Sequence, residues 1–286
     1  MGRAYLAIFV VTVLWAGNFS VAKIGMAQFD PFFIASLRVV LTGGLFFALL
    51  PRGERKISLD DFKASLPLSL TGIVANHFCF AAGIQRTTPA HSAIIHTLIP
   101  VLVAVAAVFV LRERLSRSGL LGILIAGAGV GIVVLGAPRR ELAETLTGDL
   151  LTLAGITAFS VYTVAGRRLI GRMRAFRAVS LAFACAIPFV LPVLAWGWTR
   201  QDWSRVDAKG WYSLAYMIVC ANWICYALHI YALSHLTAAR TAAFVDLQPA
   251  IGITISVLLG QDTLTAALVT GSLIAVGGVV LVQLRR

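Results

Sequence analysis

Charge is scarce in this chain, and negative charge scarcer still: 13% of the 286 residues are charged, with 12 Asp or Glu against 24 Lys or Arg. A soluble domain carries about a quarter charged residues. With 59% of its residues apolar as well, the chain has more hydrophobic surface than one soluble core of this length hides, which excludes a water-soluble globule. Cysteine is sparse too. Cys79, Cys185, Cys220 and Cys225 all fall in apolar stretches and form no CxxC pair, so neither a disulfide framework nor a structural zinc site is expected. An intramembrane enzyme needs a nucleophile with a base, a set such as HExxH, or an acidic metal-binding pair at the membrane, and none is visible. Asp60 and Asp61 are adjacent, but in a short mixed-charge segment that reads as a solvated helix start. No catalytic residue, metal or cofactor is therefore expected.

What the chain has instead is long runs nearly free of charge, such as 93–111, 119–137 and 266–282. Each is long enough to cross about 30 Å of hydrocarbon at about 1.5 Å per residue. Charge clusters, Pro and Gly divide the sequence into ten expected helical spans, at roughly 4–26, 31–50, 65–84, 90–111, 117–137, 148–167, 177–198, 211–233, 240–259 and 265–284. Arg3 followed by an apolar run ending in Ser20, Val21 and Ala22 has the look of a signal peptide. The run is long enough to span, however, and the repeat below needs it as its first helix.

The net charge of +12 raises the question of nucleic acid, yet the cations sit in short clusters between spans, so a nucleic-acid partner is not expected. An even number of spans puts both termini on one side. Arg3; Arg52, Arg55, Lys56 and Lys63; Arg112, Arg114 and Arg117; Arg167, Arg168, Arg172, Arg174 and Arg177; Arg240; and Arg285 and Arg286 make 16 cations on that side. Arg86, Arg139, Arg140, Arg200, Arg205 and Lys209 make 6 on the other, and Lys23 and Arg38 lie within spans. The positive-inside rule then makes both termini cytoplasmic. Trp196, Trp198, Trp203 and Trp211 gather near one loop as an outer aromatic belt does, whereas Trp15 and Trp223 fall mid-span.

Sliding the chain by 149 residues lays HSAIIHTLIP (91–100) on RTAAFVDLQP (240–249), Pro100 meeting Pro249. The same shift brings Thr88 onto Thr237, Glu113 onto Asp262, Leu115 onto Leu264, Gly122 onto Gly271 and Gly129 onto Gly278 without a gap. Two repeats are expected, 1–142 and 143–286. With five spans each, the second must insert upside down, and the loop charges agree: Arg112, Arg114 and Arg117 flank one turn of the first copy, while its counterpart at 260–264 has no cation.

LWAGNFSVAKIGMAQFDPFFIASLRVVLTG (14–43) and HTLIPVLVAVAAVFVLRERLSRSGLLGILIAGAGVGIVVLG (96–136) resemble the EamA domain of the drug/metabolite transporter superfamily, with a weaker second copy following. The most specific parts are Trp15 and Asn18 with downstream Lys23, the Pro and Arg of PFFIASLR, and the stretch from Pro100 to Glu113. The second copy departs in having Gln261 and Asp262 for the usual glycine–glutamate pair. Within that superfamily the chain is most similar to bacterial amino acid exporters of the YddG type. The resemblance implies an all-α integral membrane protein of ten helices, a central cavity between two inverted five-helix repeats, and export of small metabolites across a bacterial inner membrane.

Transporters built from repeats bind substrate near the bilayer midplane, so midplane polar residues mark the candidate site. Span three carries Ser69, Gly72, Asn76, His77, Phe80 and Gly83, and span eight Asn222, Trp223, Tyr226 and His229, with His77 and Tyr226 equivalent under the shift of 149. Trp15, Asn18, Phe19, Tyr162 and Gln248 complete the set, its aromatics suiting an apolar or aromatic side chain. The competing reading for any single Asn or His is a hydrogen bond between buried helices. Pro100 and Pro249 fall mid-span, where a missing N–H kinks a helix; exposed carbonyls, paired gates or static bends all fit.

Asp246 reads as the only carboxylate well inside a span, and either a coupling role or an ion pair with Arg240 or another cation accounts for it. Arg38 sits about 10 Å from the interface. A substrate carboxylate or a structural role fits it, and Lys23 reads as snorkelling to the outer interface. Gly127 and Gly131 form a GxxxG suited to close helix packing. The leading function is alternating-access export of neutral or aromatic amino acids by a monomer whose partners are a small-molecule substrate and the bilayer. Other metabolites or drugs follow, then a channel, receptor or intramembrane enzyme. Phosphorylated substrates are disfavoured because only Arg38 and Lys23 lie within spans.

Overall fold

A computed structural model describes residues 2–112, 115–136, 142–170 and 173–283, and every regular element in them is helical. The loop cations Arg114, Arg139, Arg140, Arg172, Arg285 and Arg286, and Glu113 of the repeat, lie outside the described residues, as do the side chains of Arg167 and Arg168. In chain order the α-helices are α1 (Gly2–Met26), α2 (Pro31–Leu49), α3 (Leu59–Leu68), α4 (Asn76–Arg86), α5 (Pro89–His96), α6 (Ile99–Leu111) and α7 (Arg117–Leu135). They continue with α8 (Leu142–Ile170), α9 (Ala175–Arg200), α10 (Ala208–Ala215), α11 (Cys225–His235), α12 (Ala238–Val245), α13 (Gln248–Leu258) and α14 (Ala266–Gln283). Ser69–Ala75 joins α3 to α4, and Tyr216–Ile224 joins α10 to α11, as π-helix.

Among the described residues, eight helical stretches are long and apolar enough to cross a membrane, and a ninth arises if α5 and α6, bent by 41° at their junction, count as one span. The chain is thus a multi-pass, all-helical membrane protein. The expected span at 240–259 is divided into α12 and α13, the latter only 11 residues long. Helix starts follow local chemistry. Asp30 accepts from Phe33 N ahead of Pro31, and Thr88 caps α5 ahead of Pro89. Ser58 and Asp61 form a capping box at α3, so the Asp60–Asp61 pair is indeed a helix start. Asp207 caps α10, and hydrogen bonds from the Gln28 amide and the Gly210 N–H hold its carboxyl below the usual carboxylate range.

Departures from regular helix recur 149 residues apart. His96 ends α5 and Ile99 begins α6, as Val245 ends α12 and Gln248 begins α13; Ala75 and Ile224 each end a π segment. Pro100 and Pro249 each occupy the first turn after a break, where a missing N–H does no harm. They mark helix starts rather than smooth mid-helix kinks. The expectation of freed carbonyls is narrowed as well. Thr97 N and Oγ1 both donate to Ile94 O, Leu98 N donates to Ile95 O, and the His96 ring meets Ser92 O. Tight local turns absorb these carbonyls before any solute reaches them.

Small residues set the closest helix contact. Gly122, Ala126, Gly129 and Val133 of α7 form one stripe at helical spacing, and it meets Gly271, Ala275, Gly278 and Val282 of α14, all near-apolar positions buried together. A Cβ on Gly122 would meet Gly278 O at 2.7 Å, and one on Gly129 would meet Gly271 O at 2.6 Å, so the two helices run antiparallel. Gly127 and Gly131, the expected GxxxG, have nothing within 4 Å of a built Cβ. At about 100° per residue they point away from the stripe, so close packing uses the neighbouring glycines instead.

Lys23 also differs from expectation. Its Nζ donates to Gln85 O at 2.9 Å and Thr87 O at 2.6 Å, capping the C-terminal end of α4, where a cation is favoured. It ties α1 to the α4–α5 link rather than reaching for the membrane surface. At the other end Arg177 of α9 donates to Glu54 O, Lys56 O and Asp61, fixing the link between α2 and α3.

Gly129→Ala is expected to lower thermal stability in detergent by about 1–3 kcal/mol, because the added methyl meets backbone that has no rotamer to yield. Gly127→Ala, with the same gain in helix propensity and open space around it, is expected to leave stability unchanged or raise it by up to about 1 kcal/mol. Equal melting shifts in the two variants would contradict this packing.

Candidate functional site

Arg38 lies mid-way along α2 and is 6% exposed. Its Nη2 donates to Asn222 Oδ1 at 2.8 Å, and Asn222 Nδ2 donates to Thr42 Oγ1 at 2.9 Å. Thr42 is one turn beyond Arg38 on α2, while Asn222 belongs to the π segment Tyr216–Ile224. No carboxylate among the described residues lies within ion-pair distance of Arg38. A buried guanidinium with only neutral partners is costly, and π segments commonly mark functional positions.

Aromatic rings surround this centre. The Arg38 guanidinium carbon is 6.0 Å from the Phe80 centroid, within cation–π reach. Phe19, Phe80 and His96 pack mutually, their centroids 4.9 to 6.2 Å apart. A second group holds Tyr226 among Phe46 at 5.9 Å, Phe183 at 5.6 Å and Trp15 at 6.2 Å, with His77 edge-on to Phe183 at 5.8 Å. His77 places a ring nitrogen 2.9 Å from Ile73 O in the first π segment, and Trp15 donates to Ala221 O in the second at 2.9 Å. Side chains thus bind carbonyls of both π segments.

Of the residues expected to form the site, Arg38, Phe80, His77, Asn222, Tyr226 and Trp15 meet in this connected set. Tyr162 packs against the first π segment, where a Cβ on Gly72 would come within 2.2 Å of its ring; glycine there makes room for the tyrosine. Asn18 is buried beside Phe19 on α1, and Trp223 packs against the core containing Phe19 and Phe80. Asn76 and Gln248 are half-buried and make no side-chain hydrogen bond among the described residues, and Asn76 presents its carbonyl to Gly155 of α8. Pro100 and Pro249 stand at the helix breaks. Asp246 lies in the second break and accepts from Gln283 Nε2 at 3.1 Å, an amide where a cation was one expectation.

Sequence reasoning missed His96, Thr42 and a second buried carboxylate. Asp149 is 3% exposed and lies inside α8, with Thr87 Oγ1 donating to one oxygen and the His91 ring 3.0 Å from the other. Asp246 is therefore not the only carboxylate within a span. Starting the sixth span at 148 put Asp149 at its edge, whereas the helix begins at Leu142. Its partners lie 58 and 62 residues away, beyond any local motif.

Three buried polar atoms in the central region have no hydrogen-bond partner among the described residues: Asn18 Oδ1, Arg38 Nε and Trp223 Nε1. Burying such a group unpaired costs about 1–3 kcal/mol, so each of these atoms is available to a polar ligand or to water.

The fold defines the class, a helical multi-pass membrane protein with a polar centre. The EamA-like transporter family matches residues 2–135 and 146–284, so the chain belongs to that family. It is 23% identical over 279 residues to "Uncharacterized transporter YyaM" of Bacillus subtilis strain 168, covering 96% of this chain and 91% of that protein. It is 26% identical over 284 residues to the "Probable amino-acid metabolite efflux pump" of Salmonella typhimurium strain LT2, covering 96% and 92%. One crystal structure matches with a TM-score of 0.66 at 20% identity, covering 99% of this chain and 97% of that one, a likeness of fold alone.

Asn222→Ala strands the Arg38 guanidinium and is expected to cost about 1.5–3 kcal/mol of stability. Thr42→Val removes a neutral bond and should cost about 0.5–1.5 kcal/mol. Thermal unfolding in one detergent ranks the two, and the reverse order would show that Asn222 does not hold Arg38.

Proposed function

We propose that this protein is a secondary transporter exporting small metabolites from the cytoplasm by alternating access, with neutral and aromatic amino acids as its leading substrates. The carrying observation is the buried Arg38–Asn222 centre, with donors at Arg38 Nε and Trp223 Nε1 and an acceptor at Asn18 Oδ1 unpartnered. That complement matches a zwitterion: two donors for a carboxylate, one acceptor for an ammonium, and the Phe19, Phe80 and His96 rings for a side chain. Trp15, Asn76, His77, Tyr162, Tyr226 and Gln248 complete the proposed lining, with Asp246 and the breaks at Pro100 and Pro249 serving coupling and gating. The efflux role in the name of the Salmonella relative supports the same class.

The arrangement proposed is ten spans in two inverted five-helix repeats, 1–142 and 143–286, working as a monomer in the bacterial inner membrane with both termini cytoplasmic. Support comes from π segments and helix breaks 149 residues apart, and from the antiparallel α7–α14 stripe. A two-fold relation exchanges the Gly122–Gly278 contact with Gly129–Gly271, because 122 maps to 271 and 129 to 278.

Proteoliposomes holding the purified protein test the substrate class with labelled neutral, aromatic and charged amino acids. Saturable uptake is expected for the neutral and aromatic ones, falling at least about tenfold in Arg38→Gln, which corresponds to about 1.4 kcal/mol of lost binding. Asn76→Ala and Trp223→Ala are expected to weaken it as well. No amino acid uptake above empty vesicles would overturn the substrate class and leave drugs or other metabolites.

A further inference from the structure

At the end of the molecule where α4 turns into α5, four separate parts of the chain are tied together. Lys23 of α1 binds Gln85 O and Thr87 O. Asp149 of α8 accepts from the Thr87 hydroxyl and faces the His91 ring of α5. Asp262, between α13 and α14, accepts from Ala90 N at 2.9 Å, and neighbouring Gln261 donates to Ser20 O of α1 at 3.1 Å. Four of these six bonds cross from one half of the chain to the other, and those four must break if the halves are to separate here.

One pair in this lock sets an imidazole against a carboxylate. We propose that His91 and Asp149 form a proton-binding site whose occupation holds this end closed and whose emptying lets it open. Thr87 Oγ1 donates to one oxygen of the buried Asp149 carboxylate, and the other oxygen is 3.0 Å from His91 Nδ1, so the carboxylate faces the ring directly. A neutral ring offers one N–H and leaves that negative charge uncompensated. A second proton on the ring makes an ion pair, which buries no net charge.

Other charged groups lie at this end of the molecule. Asp262 sits at the start of α5, and Glu144 lies on α8. Lys23 directs its ammonium at two carbonyls, and Arg86 of α4 folds its guanidinium onto Ala82 O of its own helix. The parts of α7, α13 and α14 that pack here carry no titratable residue, and residues 137–141, which include Arg139, Arg140 and Glu141, lie outside the described residues. The Lys23 ammonium interacts with Glu144 and Asp262, which leaves Asp149 as the carboxylate that the His91 ring itself faces. The device is one-sided. Position 240, equivalent to His91 under the repeat, is an exposed arginine, and position 236, equivalent to Thr87, is leucine. An alternating-access carrier needs such asymmetry to couple a proton to direction, and the inference rests on the transport reading only for what the opening serves.

The test needs no transported solute. Spin labels at Arg86→Cys and Thr265→Cys, with Cys79, Cys185, Cys220 and Cys225 replaced by alanine, report the width of this end in nanodiscs by pulsed electron resonance. Labels at Ile57→Cys and His235→Cys report the other. Across about pH 5 to 8, where an imidazole changes charge, the first pair is expected to move from a short to a longer distance population as pH rises. In His91→Gln this response is lost, and His91→Arg, with a permanent charge, stays short throughout. A distance distribution that does not change with pH in the parent, or an undiminished response in either folded His91 variant, would overturn the proton site. That outcome leaves amino acid uptake untouched, and absent uptake leaves this measurement interpretable.

Discussion

Hydrocarbon offers no hydrogen bonds, and that constraint organises the whole chain. It makes helix the default, and it requires every departure from helix to be healed from within the protein. At the two breaks, short backbone bonds and the Thr97 and His96 side chains take up the carbonyls. In the π segments, Ile73 O meets His77 and Ala221 O meets Trp15. Ser and Thr side chains along the spans return their protons to carbonyls four residues back, as Thr12, Ser69, Thr152 and Ser160 do. Where the α4 helix ends, Lys23 supplies the missing donors.

The same constraint concentrates ionic chemistry in a few places. Among the described residues, charge away from the interfaces is confined to Arg38 in the centre, Asp246 at the second break, and the Lys23, Asp149 and Asp262 group beside His91 at one end. These groups connect helices that are distant in sequence: Arg38 reaches across 184 residues to Asn222, and Asp262 across 172 to Ala90. Meanwhile the contact between α7 and α14 is apolar, tight and made of glycine and alanine stripes. A tight apolar seam thus lies beside polar links between elements far apart in sequence.

Much of this was legible without coordinates. Spans followed from uncharged runs, and the 149-residue repeat followed from Pro100 and Pro249 and the paired glycines. Most members of the central set were found because polar residues within spans are few. Errors came where direction or reach mattered. Gly127 and Gly131 satisfied the GxxxG spacing, suited to another helix of this chain or to a second subunit, but helix rotation turned them away from α14 and gave the contact within the chain to Gly122 and Gly129. Lys23 had the position of a snorkelling residue, but a helix C-terminus lay within its reach.

The sequence by itself determined that the chain crosses a membrane many times, that Pro100 and Pro249 interrupt two helices and which family it belongs to, because hydrophobicity, proline and glycine act locally and leave periodic traces. Only the tertiary structure decided that Arg38 answers to Asn222 rather than to a carboxylate, and that Asp149 is buried against Thr87 and His91. Those pairings depend on how helices far apart in sequence rotate and slide against one another, and side-chain direction at such contacts is set by packing that no local pattern records.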